Sequence, residues 1–173
     1  MNEYNIRNVA TSDYAQIEAL NELFVHFTSP LDQQKINLLD DLSSYHRVIE
    51  QTFNNNSEGT KSIEGFLLVV GPDKNYESEN YKWFDGLYND FLYIDRIVIN
   101  TSAQRHGLGK QLYKDLFSFA KTQGFQRICC EYNIKPANEN SAKFHEAFGF
   151  KEVGRLTSNN RNKIVSMQMV ELD

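Results

Sequence analysis

Hydrophobic and polar residues follow two periodicities along this chain, one typical of helices and one typical of strands. Apolar side chains recur at helical spacing at Leu108, Leu112 and Leu116, whereas dense or alternating runs, such as 66–70, indicate strands. The pattern predicts helices from about 14 to 27 and over 31–42, 107–123 and 138–148, and strands over 4–9, 45–52, 62–70, 91–99, 127–134, 150–155 and 163–172.

The order of these elements predicts the fold class. A strand at 91–99, a helix at 107–123 and a strand at 127–134 form a right-handed βαβ unit with parallel strands, which puts a ligand at the carboxyl ends of those strands. The last two strands, joined by a polar turn at 158–161, form an antiparallel hairpin. We therefore predict an α/β fold with a single mixed central sheet flanked by helices. The chain of 173 residues has no linker or internal repeat, so residues 1–173 are predicted to be one domain.

A polar segment at 73–90 is too aromatic for an ordinary linker. So many aromatic side chains are expected to be buried. The segment either forms a lid or lining of an acceptor site or packs as a small satellite core under a long loop. The rings belong to Tyr76, Tyr81, Trp83, Phe84 and Tyr88.

Composition and charge argue against several classes of partner. Acidic residues number 23 against 18 basic ones, and a net charge of -5 disfavours duplex nucleic acid or an anionic membrane as the main partner. No stretch approaches the roughly 18 apolar residues of a membrane span, so we expect a soluble, cytoplasmic protein. Cys129 and Cys130 are adjacent and lack zinc-ligand spacing, so they are interpreted as inert strand residues and no metal is expected.

Two glycines follow the central predicted strand and precede a helix. Residues 104–109 contain Gly107 and Gly109, which allow backbone amides to approach a ligand closely, and a helix N-terminus attracts phosphate. A Walker loop would need Ser or Thr at Gln111, and a dinucleotide fingerprint would need glycine at Leu112. The alternative is a tight turn with no ligand.

The loop and a second motif resemble the GNAT superfamily of acyl-CoA N-acyltransferases. The family loop has Gln or Arg, two residues, Gly, one residue, then Gly or Ala, and 104–109 matches it in full. The residues Asn138, Ser141 and Phe144-His145, followed by the Phe-Gly-Phe of 148–150, resemble the family's next helix, with His145 where Tyr is usual. The match is close over about 91–155 and loose elsewhere. It implies the GNAT fold.

The resemblance also implies acetyl-CoA as co-substrate and a primary amine, of a small molecule or a protein N-terminus, as acceptor. The end of the central strand would offer main-chain groups to the acyl and pantetheine portion, although these residues are also ordinary core. The loop would cradle the pyrophosphate, and Asn133 would bond pantetheine amides unless it is only a turn residue. Homodimerisation is left open. The implied cofactor-binding residues are Ile97, Val98, Ile99, Gln104, Arg105, His106, Gly107, Leu108, Gly109, Lys110, Asn133, Asn138 and Ser141.

Direct attack on a thioester in a ternary complex needs an unprotonated amine, and so benefits from a base. Glu131 lies in an apolar strand, where a raised pKa is expected, and it resembles the Glu of GNAT enzymes that acetylate protein N-termini. The alternative is a buried carboxylate paired with arginine. Asp95 is the second candidate, and an ion pair with Arg96 would explain it equally well.

Departure of the CoA thiolate is commonly assisted in the family by the Tyr that His145 replaces. An imidazolium is a stronger acid than a phenol, so His145 is predicted to protonate the thiolate, the alternative being an exposed helical histidine. The sequence therefore predicts an N-acetyltransferase. A GNAT-fold module that binds acyl-CoA without catalysis, as a sensor or interaction subunit, is the other hypothesis, and the missing Tyr supports it.

Overall fold

The computed structural model describes residues 3–53, 60–158 and 162–173. Within them, seven strands form one mixed sheet in the order β1-β2-β3-β4-β5-β7-β6, with helices flanking it. This confirms the predicted α/β class. The strands are β1 Glu3–Asn8, β2 Tyr45–Phe53, β3 Thr60–Val70, β4 Leu92–Ile99, β5 Arg127–Lys135, β6 Lys151–Ser158 and β7 Lys163–Glu171, and the helices are α1 Tyr14–Glu22, α2 Gln33–Leu42, α3 Glu79–Asp85, α4 Leu108–Gln123 and α5 Glu139–Ala147.

The chain divides into two compact units, one of residues 1–69 with 95–116 and the other of 70–94 with 117–173. The prediction of a single domain stays a prediction. In the first unit, β1, β2 and β3 are successive antiparallel neighbours, and the register places Val48 opposite Phe66. Both of these side chains are buried, as are Ile17 of α1 and Ile36 of α2. Their burial makes this face of the strands the core of the unit.

The first helix is shorter than its apolar spacing predicts. It ends at Glu22 instead of about residue 27, and the chain continues in turns, with the Thr28 amide bonded to the Phe24 carbonyl. The physical reason is Asn21, a buried amide whose Nδ2 donates to the Ser29 carbonyl at 3.0 Å and whose Oδ1 accepts from Arg96. These bonds fold the following segment back on the helix end, which helical periodicity alone does not predict.

In the second unit the strands pair as the sequence predicts. β4 and β5 are parallel, with Leu92 opposite Ile128, and β5-β7-β6 are antiparallel. The βαβ unit and the terminal hairpin are therefore confirmed. Residues 159–161 of the turn predicted at 158–161 lie outside the described residues. Gly149, with φ of +83°, ends the segment after α5.

The aromatic segment contains a helix, α3, that the sequence pattern does not show. Its Tyr81 and Phe84 are fully buried and lie 5.8 and 5.9 Å, between ring centroids, from Tyr93 of β4. The rings form a core layer on this strand, which favours the satellite-core interpretation of residues 73–90. Trp83 lies over Gly154 of β6, where an added Cβ would come within 2.5 Å of the indole.

Alternation in β7 does not separate a buried face from a solvent face. Ser166 and Gln168 are as buried as Met167 between them, because they bond to each other at 2.7 Å, Ser166 bonds to Glu152, and Gln168 donates to the Tyr132 hydroxyl at 3.3 Å.

Among the described residues, no helix is long and apolar enough to cross a membrane. The same residues contain no group of three or more His, Cys, Asp or Glu side chains placed to hold a metal ion.

Candidate functional site

In the first unit, the predicted phosphate loop begins where β4 ends. Asn100 caps a 3-10 turn over Thr101–Ala103, accepting a bond on its side-chain oxygen from the Ser102 amide, and Ala103 is buried beneath the turn. The side-chain Nε2 of Gln104 donates a hydrogen bond to the Ile99 carbonyl at 3.3 Å. The loop therefore leaves the strand in a defined direction.

The loop then runs into α4 through two residues with positive φ. Arg105 has φ of +67° and Gly107 has φ of +75°, and the space where a Gly107 Cβ would lie is open to 4 Å. Leu108, the first residue of α4, is buried and anchors the helix start. The first amides of a helix have no carbonyl one turn earlier, and they carry the positive end of its dipole. With Arg105 and Lys110 exposed nearby in the chain, this arrangement fits a diphosphate.

The strand before the loop is tightly packed. Val98 is buried and Ile97 and Ile99 are half-buried, and an added Cβ on Gly65 of β3 would lie 2.6 Å from Ile99 Cδ1 and 2.7 Å from the Val98 carbonyl oxygen. The side chains of Val98 and Ile99 thus pack in the interior of the unit, in agreement with the alternative interpretation. A ligand role for these residues rests on their main chain.

Asp95, the second candidate base, forms an ion pair with Arg96. Its Oδ2 lies 2.7 Å from Arg96 Nε, and both side chains are about 5% exposed or less. The guanidinium also donates to Asn21 and Ser29. The ion pair that the sequence allows as an alternative is therefore present, and it ties Asp95 to the structural network of the first unit.

In the second unit, Glu131 occupies the middle of β5 beside α3. Its Oε1 accepts from Asn80 Nδ2 at 2.7 Å and from the Tyr93 hydroxyl at 3.1 Å. Two neutral donors orient the carboxylate, which is half-buried. The sequence does not identify these partners, because Asn80 lies on α3, which is not visible in the hydrophobic pattern, and because the pattern does not fix the register that pairs Tyr93 of β4 with Cys129 of β5.

Four of the predicted residues form one hydrogen-bonded chain along the start of α5. Asn138 is the N-cap, accepting on Oδ1 from the Ser141 amide at 3.1 Å, and its own amide donates to the Asn133 carbonyl at 2.9 Å. The Ser141 carbonyl lies 2.7 Å from His145 Nδ1, and its hydroxyl lies 3.2 Å from the same nitrogen. Asn133 is a residue of β5, opposite Val165 of β7, and its main-chain carbonyl connects the end of this strand to the N-cap of α5.

His145 is buried, which overturns the alternative of an exposed helical histidine. It is only 4% exposed, its ring stacks on Tyr132 at 5.8 Å and it meets Phe144 and Phe150 edge to face. Burial lowers the pKa of the imidazole, against a smaller raising effect of the Ser141 carbonyl. A neutral ring that donates from Nδ1 to this carbonyl is the favoured form, so the imidazolium expected from sequence is disfavoured.

The two catalytic candidates lie on opposite faces of β5. Glu131 bonds to α3, whereas Tyr132, the next residue, stacks on His145 of α5, and successive strand side chains point to opposite faces. Cys129 and Cys130, earlier in the strand, are buried, and burial raises the pKa of both thiols, in agreement with inert cysteines.

Comparison with known proteins agrees with this arrangement of elements. The sequence profile of the Acetyltransferase (GNAT) family matches residues 65–150, which include β4, the loop, α4, β5 and α5. The chain belongs to the GNAT acetyltransferase family. The matched region ends at the Phe-Gly-Phe motif, so both motifs that carry the resemblance fall inside it.

Individual GNAT relatives are distant in sequence but similar in fold. The thialysine N-ε-acetyltransferase of Caenorhabditis elegans is 20% identical over 123 residues, which are 68% of this chain and 76% of that protein. Ard1 from Thermoplasma volcanium superposes with a TM-score of 0.76 at 14% identity, covering 98% of each chain. The structure of yncA from Salmonella typhimurium with its cofactor acetyl-CoA gives a TM-score of 0.68 at 16% identity, covering 99% of this chain and 95% of that one. These likenesses confirm the GNAT fold.

Proposed function

We propose that this protein is an acetyl-CoA-dependent N-acetyltransferase that transfers the acetyl group to a primary amine by direct attack. The observation that carries the proposal is the glycine loop at the start of α4, which presents helix-terminal amides and a positive dipole end to an anion within the region matched by the GNAT family. Residues 104–110 would hold the pyrophosphate of the co-substrate. The solved structure of yncA, which contains acetyl-CoA, supports this choice of acyl donor.

The reaction requires two proton movements. The amine nitrogen attacks the thioester carbonyl carbon, the nitrogen loses a proton, and the C–S bond breaks to release the CoA thiolate, which takes up a proton. In this proposal Glu131 accepts the proton from the amine, directly or through water, on the α3 face of β5. His145, at the position where the family usually has Tyr, is the proposed proton donor to the thiolate; since its neutral form is favoured, it must first take up a proton from solvent.

The acceptor is proposed to be a primary amine of a small molecule or of a protein N-terminus. The named acceptor of the Caenorhabditis elegans relative, thialysine, supports a small amine, but at 20% identity it does not select one. The proposal includes a single cytoplasmic domain that works without a metal and has neither nucleic acid nor membrane as a partner. It leaves homodimerisation open.

A non-catalytic acyl-CoA-binding module is the second candidate function. The observation that favours it is the burial of His145 at the position of the usual Tyr, because burial lowers the imidazole pKa and a neutral ring is a poor proton donor to a thiolate. A thiol-release assay over a panel of amines, including peptides with free N-termini and polyamines, separates the two functions. We expect CoA release with at least one amine, together with a product heavier by one acetyl group. Tight acetyl-CoA binding with no release over the whole panel would favour the module.

A further inference from the structure

Glu64 of β3 is a buried carboxylate that contacts the base of the glycine loop. It is 5% exposed, and its two oxygens accept separate bonds, Oε1 from the Ser62 hydroxyl at 2.8 Å and Oε2 from Asn100 Nδ2 at 3.0 Å. The Asn100 amide also donates to the Glu64 carbonyl at 2.8 Å. Glu64 thus holds Asn100 through both its backbone and its side chain.

Asn100 is in turn hydrogen-bonded to the start of the loop. Because its Nδ2 faces the carboxylate, its Oδ1 faces the Ser102 amide, which donates to it at 3.4 Å, and its carbonyl accepts from the Ala103 amide at 2.9 Å. The Ala103 carbonyl then lies 3.2 Å from His106 Nδ1. A continuous series of hydrogen bonds therefore connects Glu64 to the residue that precedes Gly107.

We propose that Glu64 is a positioning residue that holds the diphosphate-binding loop in its binding conformation before the ligand arrives. The inference rests on the proposed function, because it assumes that the loop binds the CoA diphosphate. A carboxylate is an acceptor on both oxygens, so it fixes the orientation of the Asn100 amide in a way that an apolar residue cannot. If the loop is ordered for only a fraction of the time, the apparent Kd rises by the inverse of that fraction.

The test measures CoA binding by calorimetry in the wild type, Glu64→Ala and Glu64→Gln. For Glu64→Ala we expect the Kd to rise roughly tenfold, with kcat at saturating acetyl-CoA within about twofold of the wild type. Glu64→Gln keeps an oxygen for Asn100 and an NH2 for the Ser62 hydroxyl, so we expect it to restore most of the affinity. Equal affinity of the wild type and Glu64→Ala would overturn the inference.

Glu50→Ala is the matched control. Glu50 is an equally buried carboxylate on β2 of the same unit, but it pairs with Arg7 and Lys61, which are not loop residues. Glu50→Ala should lower the Tm and leave the Kd for CoA unchanged. If the role of Glu64 were purely structural, Glu64→Ala would behave in the same way. Should Glu64→Ala fail to fold, Asn100→Ala removes the same link together with the cap of Ser102, and an unchanged Kd in this variant would overturn the inference.

Amide hydrogen exchange of the ligand-free protein distinguishes failure of this inference from failure of the proposed function. We expect faster exchange over residues 101–108 in Glu64→Ala and not in Glu50→Ala. A wild type that does not bind CoA would contradict the proposed function. Unchanged loop exchange in Glu64→Ala would contradict the role of Glu64, whatever the wild type binds.

Discussion

Glu131 is oriented by two neutral donors on the face of β5 that α3 covers. Glu131→Gln keeps an oxygen for Asn80 and Tyr93 and removes the ability to accept a proton. We expect kcat at neutral pH to fall by roughly 10² to 10⁴, with the Kd for acetyl-CoA unchanged, and the loss to shrink at high pH, where the amine is already deprotonated.

Tyr93→Phe is the control for this prediction, because it removes one hydrogen bond of Glu131 and keeps the carboxylate. Steady-state rates from pH 6 to 10 for both variants provide the measurement. An unchanged rate for Glu131→Gln at neutral pH would move the base role to water, since Asp95 is paired with Arg96.

We expect two buried histidines to make the stability of the protein depend on pH. Burial lowers the pKa of His145 and of His46, although Asp40, at 2.8 Å from His46 Nδ1, and the charges of Asp13 and Asp95 act in the opposite direction. Because the folded pKa lies below the unfolded value of about 6.5, the unfolded state takes up protons first as the pH falls. The stabilising contribution is complete above about pH 6.5 and is lost below it.

We therefore expect the free energy of unfolding, measured by urea titration, to fall between pH 7.5 and 5.5, by at most about 1.4 kcal/mol per pH unit for each histidine. In His46→Gln and in His145→Asn the slope should decrease, after allowing for the lower stability of each variant. A slope that is the same in both variants and in the wild type would show that neither imidazole is kept neutral by folding.

At the scale of elements, α3 packs on β6 through the indole of Trp83, which lies on Gly154. Gly154→Ala would place a Cβ 2.5 Å from Trp83 Cζ2, so the ring must move. Overpacking of this kind typically costs about 1–3 kcal/mol, and we expect a loss of that size in urea unfolding. The double variant with Trp83→Leu should recover part of it, because the smaller side chain leaves room. Additive losses in the double variant would contradict the packing.

The elements also show what sequence can and cannot predict. The strands and α4 have strong apolar periodicity, and the observed bounds of each lie within a few residues of the predicted ones. The predicted end of α1 is wrong because a buried hydrogen-bond network around Asn21, not periodicity, sets it. Helix α3 escapes prediction because its rings are closely spaced along a polar segment, and a seven-residue helix gives too short a pattern.

For the whole molecule, motif and geometry are predictable to different degrees. The sequence motifs at 104–109 and 138–150 are sufficient to indicate the family, because the phosphate loop and the Asn-capped helix depend on local residue types. The environment of Glu131 depends on α3, which lies about 50 residues earlier in the chain, and the burial of His145 depends on Tyr132 and Phe150. Such long-range contacts are not encoded in any short window.

The central claim is that the glycine loop binds acetyl-CoA, and calorimetric titration of Gly107→Glu tests it most directly. A carboxylate at this position would stand where phosphate must lie. Gly124→Glu is the control, since Gly124 has φ of +82°, follows the other end of α4 and also has open space around its Cβ position, so backbone strain and added charge are matched. We predict that the wild type and Gly124→Glu bind acetyl-CoA and that Gly107→Glu, still folded, does not. Normal affinity in Gly107→Glu would contradict the assignment of the loop.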